Sequence, residues 1–560
     1  MNSSMNIAQD VADQAADHGE RCAFRVLSST GPEHTVSYAE LHDLVSACAG
    51  GLTARGITRG SKVVVFVPMS VDLYVVLLAL FRIGAIAVFI DPWGGRAMID
   101  AAAALVDADA FIGVAKAHTF RALSRTIRRI KLHIVSGSGG LAGVVRLLPR
   151  TIALSAVMRA SHAPITEAAQ VHPDESALIT FTGGSTGTPK GADRTHGFLA
   201  AQHDVLTRNI DLQTGDVCLT NLPIVVLHGL GRGVTTMLPP AEIAQNPQAD
   251  GTWLHSVIDQ LGVNVLAVSP SLLDGLTTST HRKALQHVRA VYTGGGPVLP
   301  ELLERVRPLL PAARITAIFG STEAEPIAHA DAEAILAHRD AMRTRGGIWI
   351  GNPVADVDVR VIRPTDAAIT LTDTAPLDDW CVPAGEAGEL IVAGPHVNRS
   401  YFRNPDATHH TKIIDADGRV WHRTGDIVRE DDTDGFWLLG RIGTSVRVGE
   451  RSIWPLEVET LLSDDPMIAR SACASVDGSR GDHAAHPRRA VVAIQPAPGV
   501  SHRDAFDAAV ALLAAAHLAA SIDVRVLDLI PTDMRHGTKI DMAAVRALVD
   551  RTTTSGPPPQ

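Results

Sequence analysis

The densest concentration of chemically useful side chains lies between Thr180 and Gly191, where glycines and hydroxyls precede a single lysine. Gly183, Gly184 and Gly187 let the backbone approach a polyphosphate and turn its amides inward. Thr182, Ser185, Thr186 and Lys190 add further donors, so the stretch has the chemistry to hold a triphosphate. A surface turn can share this composition. Pro189 stands before the lysine and no hydroxyl follows it, which separates the stretch from the Walker loop of ordinary P-loop ATPases.

Further along come Gly294, Gly295 and Gly296, then Phe319 to Glu323, then Trp421 to Asp426 with Arg441, and finally Met534 to Ile540 around Lys539. Taken singly, each has a plain reading: a glycine run is a turn, Asp426 after Gly425 is a turn residue, and Lys539 is a solvated lysine. Taken together and in this order, they resemble the adenylate-forming superfamily of acyl-CoA synthetases, luciferases and nonribosomal adenylation domains. The signature S/T-G-S/T-T-G-x-P-K-G of that superfamily is matched from Gly183 to Gly191, with Gly183 where serine is commoner. The likeness runs from about Val36 to Leu548.

The resemblance implies a role for each residue. Gly294 to Gly296 lie against the purine edge, Phe319 stacks on adenine beside Gly320 and Ser321, and the Thr322 hydroxyl bonds the α-phosphate. Glu323 holds the Mg2+ of ATP. Asp426 accepts from the ribose hydroxyls and Arg441 binds the same sugar. Lys539 bridges the acyl oxygen and the phosphate. A carboxylate attacking a phosphate brings two anions together, so a cation at their junction lowers the barrier, and Lys190 with Mg2+ shares the remaining charge.

Within the superfamily the chain most resembles the β-lactone synthetases of bacterial olefin biosynthesis. Four passages carry that likeness: Phe89 to Pro92, Ala115 to His118, Gly320 to Ile327, and Arg535 to Ile540. It implies ATP-dependent activation of a fatty or β-hydroxy fatty acid to an acyl-AMP, then ring closure. Proximity makes closure by an internal hydroxyl reasonable chemistry. Gly449 to Glu457 look more like the CoA-ligase form, so a CoA thioester is the alternative product and a carrier protein a further acceptor. Gly443 stands where the family commonly has a hinge Asp or Lys. Gly183 and Gly443 together leave a catalytically silent nucleotide-binding protein as the reading from another class. His228, in the run Pro223 to Gly233, is either a substrate-pocket residue or a core histidine.

The elements that must position these residues read as an α/β chain, with strand and helix signals alternating. Ser37 to Glu40 predicts a capping box, with Gly56 ending the helix that follows. Lys62 to Val67, Asn264 to Val268 and Ala290 to Thr293 predict strands, as does Ala177 to Ile179 ahead of the phosphate loop. Val71 to Ile90 is apolar enough to raise a membrane span, but Arg82 and Gly84 interrupt it. The plainer reading is a helix over Val71 to Ile83 and a core strand over Ala85 to Ile90. His133 to Thr166 mixes glycine, serine, apolar residues and arginines, and predicts a surface excursion: a solvated loop with one amphipathic helix, or a membrane-facing segment. The resemblance implies a large N-terminal domain of sheets flanked by helices over residues 1–441 and a small mobile C-terminal α/β domain over 442–551. Composition predicts a disordered tail over 552–560.

Bulk composition limits the partners. The 560 residues carry a net charge of −10, which leaves no broad cationic surface for nucleic acid. The five cysteines lie far apart without a CxxC pair, which fits reduced thiols in a cytoplasm. The expected partner is a small carboxylic acid, with peripheral membrane contact left open at the basic segment.

Overall fold

The computed structural model describes residues 5–28, 31–91, 95–137, 140–159, 162–182, 189–240, 243–244, 250–281, 283–372, 374–431, 435–448, 451–476, 489–532 and 540–551. Gly183, Gly184, Ser185, Thr186, Gly187 and Lys539 therefore lie outside the described residues, as does the tail from Thr552.

Local signals place the first helices. Ser37 Oγ accepts from the Glu40 amide at 3.1 Å while Glu40 Oε2 accepts from the Ser37 amide at 2.7 Å, and the helix runs Tyr38–Thr53. The apolar stretch from Val71 divides into a helix, Val71–Arg82, and a strand, Ile86–Ile90. Both are buried within the protein, and no helix among the described residues is long and apolar enough to cross a membrane.

A seven-stranded sheet runs, edge to edge, through Thr151–Ala153, Leu132–Ser136, Ala110–Val114, Lys62–Phe66, Ile86–Ile90, Ser176–Thr182 and Lys190–Thr195. All pairings are parallel except the last. Its centre is covered on both faces: Val63 and Val65 join one apolar core, Val64 and Phe66 another. That is why Lys62–Phe66 reads as a continuous apolar run rather than an alternation. The segment from His133 to Thr166 corrects the sequence reading of a solvated excursion. It supplies two of these strands, with His133, Ile134 and Val135 buried, and only the short helices Gly140–Val145 and Leu154–Met158 lie between and after them. Gly and Arg flank strands too short to show a clear period.

A fourteen-stranded sheet holds the rest of the large region. Its parallel part includes Val217–Thr220, Val265–Val268, Ala290–Gly294 and Arg314–Ser321. From Ala324–Asp331 onward it turns antiparallel through Ile348–Pro353, Phe436–Arg441, Val420–Glu430 and Ala387–Ala393. A third sheet, Ile468–Val476, Arg489–Pro496 and Ile522–Val526, is covered by the helices His502–Ala515 and Met542–Arg551. The helix Pro455–Leu462 joins the two regions: Trp454 just before it packs with Trp349 and Trp437, while Val458 and Leu462 pack into the third sheet's core. Arg343 adds an ion pair to Asp464 at 3.3 Å.

In the antiparallel part, Arg423 and Glu389 form a fully buried ion pair at 2.6 Å. Arg423 also donates to the Ala367 carbonyl at 2.7 Å, and Glu389 Oε1 accepts from the Gly425 amide at 3.3 Å. Burial raises the Glu389 carboxyl above its ordinary range, and Arg423 opposes that rise. Removing one partner strands the other, so Arg423→Met is expected to cost about 3–5 kcal/mol in urea unfolding. The double variant Arg423→Met with Glu389→Leu should recover most of that loss, because no buried charge is then left alone.

Candidate nucleotide site

The strands Ala290–Gly294 and Arg314–Ser321 are parallel neighbours, and their C-terminal ends carry Gly295, Gly296 and Thr322 into adjoining loops. Open α/β sheets bind ligands at such ends. Gly294 pairs with Ile318 so closely that a Cβ would stand 2.4 Å from the Ile318 carbonyl oxygen, which excludes any other residue there. Phe319 is half-buried and Gly320 exposed, and Ser321 Oγ accepts from the Glu323 amide at 3.3 Å. The hairpin returns at once as Ala324–Asp331, so Ser321, Thr322 and Glu323 occupy a tight turn at the sheet's rim.

This turn is fastened to the strand that begins with Lys190. Arg194, buried and lying over the Phe198 ring, donates to the Thr322 carbonyl through Nη2 at 2.7 Å and Nε at 3.1 Å. Asn398 joins the same two elements, its amide donating to the Glu323 carbonyl and its Nδ2 to the Asp193 carbonyl, both at 2.7 Å. Ala192 bridges to Tyr401, and the Phe402 amide donates to Gly191 at 2.8 Å. Lys190 itself pairs with Thr182 across the mouth of the phosphate loop and is half-buried. The strand that leaves that loop is thereby fastened to the Glu323 turn.

Glu323 has an unusual setting for a carboxylate. Tyr401 donates to its Oε1 at 2.8 Å, and Lys412 lies beyond, over the Tyr401 ring with Nζ 5.4 Å from its centre. Lys412 is buried, donates to the Asn398 carbonyl, and stands opposite His422 on the neighbouring strand. Burial opposes ionisation of Glu323, but His422, the Tyr401 hydroxyl and Lys412 together hold its carboxyl below the usual range. Burial, with Lys412 adding to it, also takes the His422 ring down to about 3. Among the described residues no group of three or more His, Cys, Asp or Glu is arranged to hold a metal. A Mg2+ ion fits such a site, because it is commonly bound through one carboxylate and the oxygens of phosphate and water.

On the same strand as His422, Asp426 pairs with Arg441 in register and by an ion contact of 3.2 Å. Gly425, just before Asp426, takes φ 72°, which turns the chain where Arg441 Nη2 donates to the Thr424 carbonyl at 2.9 Å. Arg441 is largely exposed while Asp426 is nearly buried, so the carboxylate is fixed and the guanidinium faces outward.

His228 stands apart from this group. It is buried in the helix Pro223–Gly231, its Nδ1 3.1 Å from Nδ1 of His203 on the helix His196–Asn209, and burial drives both rings well below their ordinary pKa. Among the described residues, no hydrogen bond or ion pair joins it to Glu323 or Lys190. The structure also adds Arg194, Asn398, Tyr401, Lys412 and His422, which the sequence did not single out. A charged residue opening the apolar pair Ile413 and Ile414, or a histidine between Trp421 and Arg423, was the only available signal.

Burial pulls the Lys412 amine from 10.5 down to about 7. Between those values the unfolded chain binds a proton there that the folded chain does not, so this group adds stability as pH rises. Urea titrations of wild type and Lys412→Met from pH 7 to pH 9.5 should show the wild type gaining on the variant throughout that window.

Comparison with known proteins identifies the family. Residues 11–402 match the family described as AMP-binding enzyme. The olefin β-lactone synthetase of Xanthomonas campestris pv. campestris is 31% identical over 96% of this chain and 96% of its own. That of Stenotrophomonas maltophilia is 31% identical over 96% of this chain and 97% of its own. Among solved structures, ATP-bound MatB from Rhodopseudomonas palustris superposes with a TM-score of 0.77 at 20% identity, covering 99% of this chain and 100% of that one. The amide bond synthetase McbA from Marinactinospora thermotolerans gives a TM-score of 0.75 at 21% identity over 97% and 99%. The chain belongs to the AMP-binding enzyme family and is an AMP-forming acid ligase.

Proposed function

We propose that this enzyme uses ATP to convert a β-hydroxy fatty acid to its acyl-adenylate, releasing pyrophosphate, and then closes the β-lactone with release of AMP. The end-to-end likeness to two olefin β-lactone synthetases is the observation that carries this reading. The tie between the Glu323 turn and the strand that leaves the phosphate loop supports the first half-reaction.

In that half-reaction the acid's carboxylate oxygen attacks the α-phosphorus, and the bond to pyrophosphate breaks. Thr182, Gly183, Gly184, Ser185, Thr186 and Gly187 with Lys190 hold the phosphates. Thr322 bonds the α-phosphate, Asp426 and Arg441 hold the ribose, and Gly294, Gly295, Gly296, Phe319, Gly320 and Ser321 line the adenine side. Glu323 is the residue that would hold Mg2+, and the ion would supply neutralisation of phosphate charge. Lys539, from the C-terminal domain over 442–551, meets the acyl oxygen and phosphate. His228 serves as an uncharged wall residue. In the second half-reaction the β-hydroxyl oxygen bonds the acyl carbon, the acyl–phosphate bond breaks, AMP leaves, and the hydroxyl proton passes to solvent. The internal nucleophile gains the advantage of proximity.

Thioester formation on CoA is a second reading with its own support. Arg451–Ile453, in the passage whose sequence resembles CoA ligases, pairs antiparallel with Val446–Val448 just before that passage. Incubation of the enzyme with ATP, Mg2+ and a β-hydroxy fatty acid should yield lactone and AMP without CoA. Product that forms only when CoA is added would replace the lactone reading with the thioester one. Lys539→Ala should slow acid-dependent exchange of labelled pyrophosphate into ATP by at least about a hundredfold while ATP binding persists. Unchanged exchange would remove Lys539 from the chemistry.

A further inference from the structure

The chain carries a net charge of −10, yet residues 110–166 contain nine Lys and Arg and no Asp or Glu. Within that basic stretch lies the largest group of exposed apolar side chains among the described residues. Leu147 is 84% exposed, Leu141 and Val144 are 61% exposed, and Leu148 is 41% exposed. The helix Gly140–Val145 explains the arrangement. Ala142 and Val145 turn inward and pack with Val135, so Leu141 and Val144 must turn outward, and helical backbone bonds to Leu147 and Leu148 continue the same face.

The outward face is held in place. Arg121 donates to the Pro149 carbonyl at 2.8 Å and to Thr151 Oγ1 at 2.6 Å, which pins the turn after Leu148 to the body of the domain. In the same stretch Arg125, Arg129, Lys131, Arg146 and Arg150 are exposed, the last two adjoining Leu147 and Leu148, and among the described residues none of these five forms an ion pair. Apolar tips beside unneutralised cations are the chemistry of an interfacial anchor. Four side chains on one short helix and the turn after it are too small a face for a stable protein interface, which needs roughly 1,000 Å² or more. A few inserted side chains with a basic rim suffice for an anionic bilayer.

We propose that this face docks the enzyme on the surface of a membrane rich in anionic lipid, with Leu141, Val144, Leu147 and Leu148 entering the headgroup boundary. The proposal is independent of the lactone reading. The helix lies between Leu132–Ser136 and Thr151–Ala153, at one edge of the seven-stranded sheet, whereas Lys190 begins the strand at the opposite edge. At about 4.8 Å per strand the two edges are roughly 30 Å apart, so docking leaves the nucleotide site free.

The test is co-sedimentation of the full chain with vesicles of phosphatidylcholine alone and of phosphatidylcholine mixed with phosphatidylglycerol. Binding is expected only to the mixed vesicles and should fall as salt is added. Arg146→Ala and Arg150→Ala should each weaken partition roughly fivefold, and Leu147→Asp should abolish it, while pyrophosphate exchange in solution stays at the wild-type rate. No binding to mixed vesicles, equal binding to neutral ones, or variants that partition like wild type would each overturn the proposal. The first of these would return the face to a protein partner.

Discussion

The arrangement at Glu323 depends on keeping a carboxylate ionised where little water reaches it. Burying such a charge is costly unless it is bonded and paired. Tyr401 supplies the bond and Lys412 the opposite charge, but Lys412 is itself nearly buried and its amine is drawn down to about 7. With these partners the carboxyl is still held below its usual range, so the turn keeps an ionised group. Glu389 is paired as well, by Arg423, yet burial leaves its carboxyl raised.

The same turn is where two sheets meet. Lys190–Thr195 is the edge strand of one sheet, and the Arg314–Asp331 hairpin belongs to the other. An edge strand exposes unpaired backbone groups that must be satisfied or covered. The segment through Asn398 to Phe402 covers it, exchanging bonds with Gly191, Ala192 and Asp193 on one side and Glu323 on the other. Closing the sheet edge and positioning the carboxylate are thus done by the same few residues. Displacing that segment would loosen the fold and the site together.

This double duty explains what the sequence could show. The turn residues Ser321 to Glu323 and the pair Asp426 and Arg441 stand out in the sequence through the family resemblance of the passages that hold them. Lys412, His422 and Tyr401 do not, because their meaning comes from partners far along the chain: Lys412 opposite His422 across a strand pair, Tyr401 opposite Ala192. The strands Lys62–Phe66 and Ala290–Gly294 were legible as apolar runs, since burial on both faces removes alternation. Thr151–Ala153 was hidden by its length of three residues and by the arginines around it. His228 shows a further limit. Its motif context admitted both a pocket and a core role, and only its contact with His203 reveals how deep in the helix packing it lies.

The two candidate outcomes for the acyl-adenylate place different demands on this architecture. Thioester formation needs a second substrate to enter after pyrophosphate leaves, and hence a rearranged opening. Lactone formation needs only that the β-hydroxyl be held against the carbonyl and that water be kept away, since hydrolysis competes for the same carbon. The helix Pro455–Leu462 is anchored on one side by Trp454 among Trp349 and Trp437, and on the other by Val458 and Leu462. A C-terminal region held in this way has a fixed root from which to cover the site. An intramolecular second step calls for no second substrate to enter once the adenylate has formed.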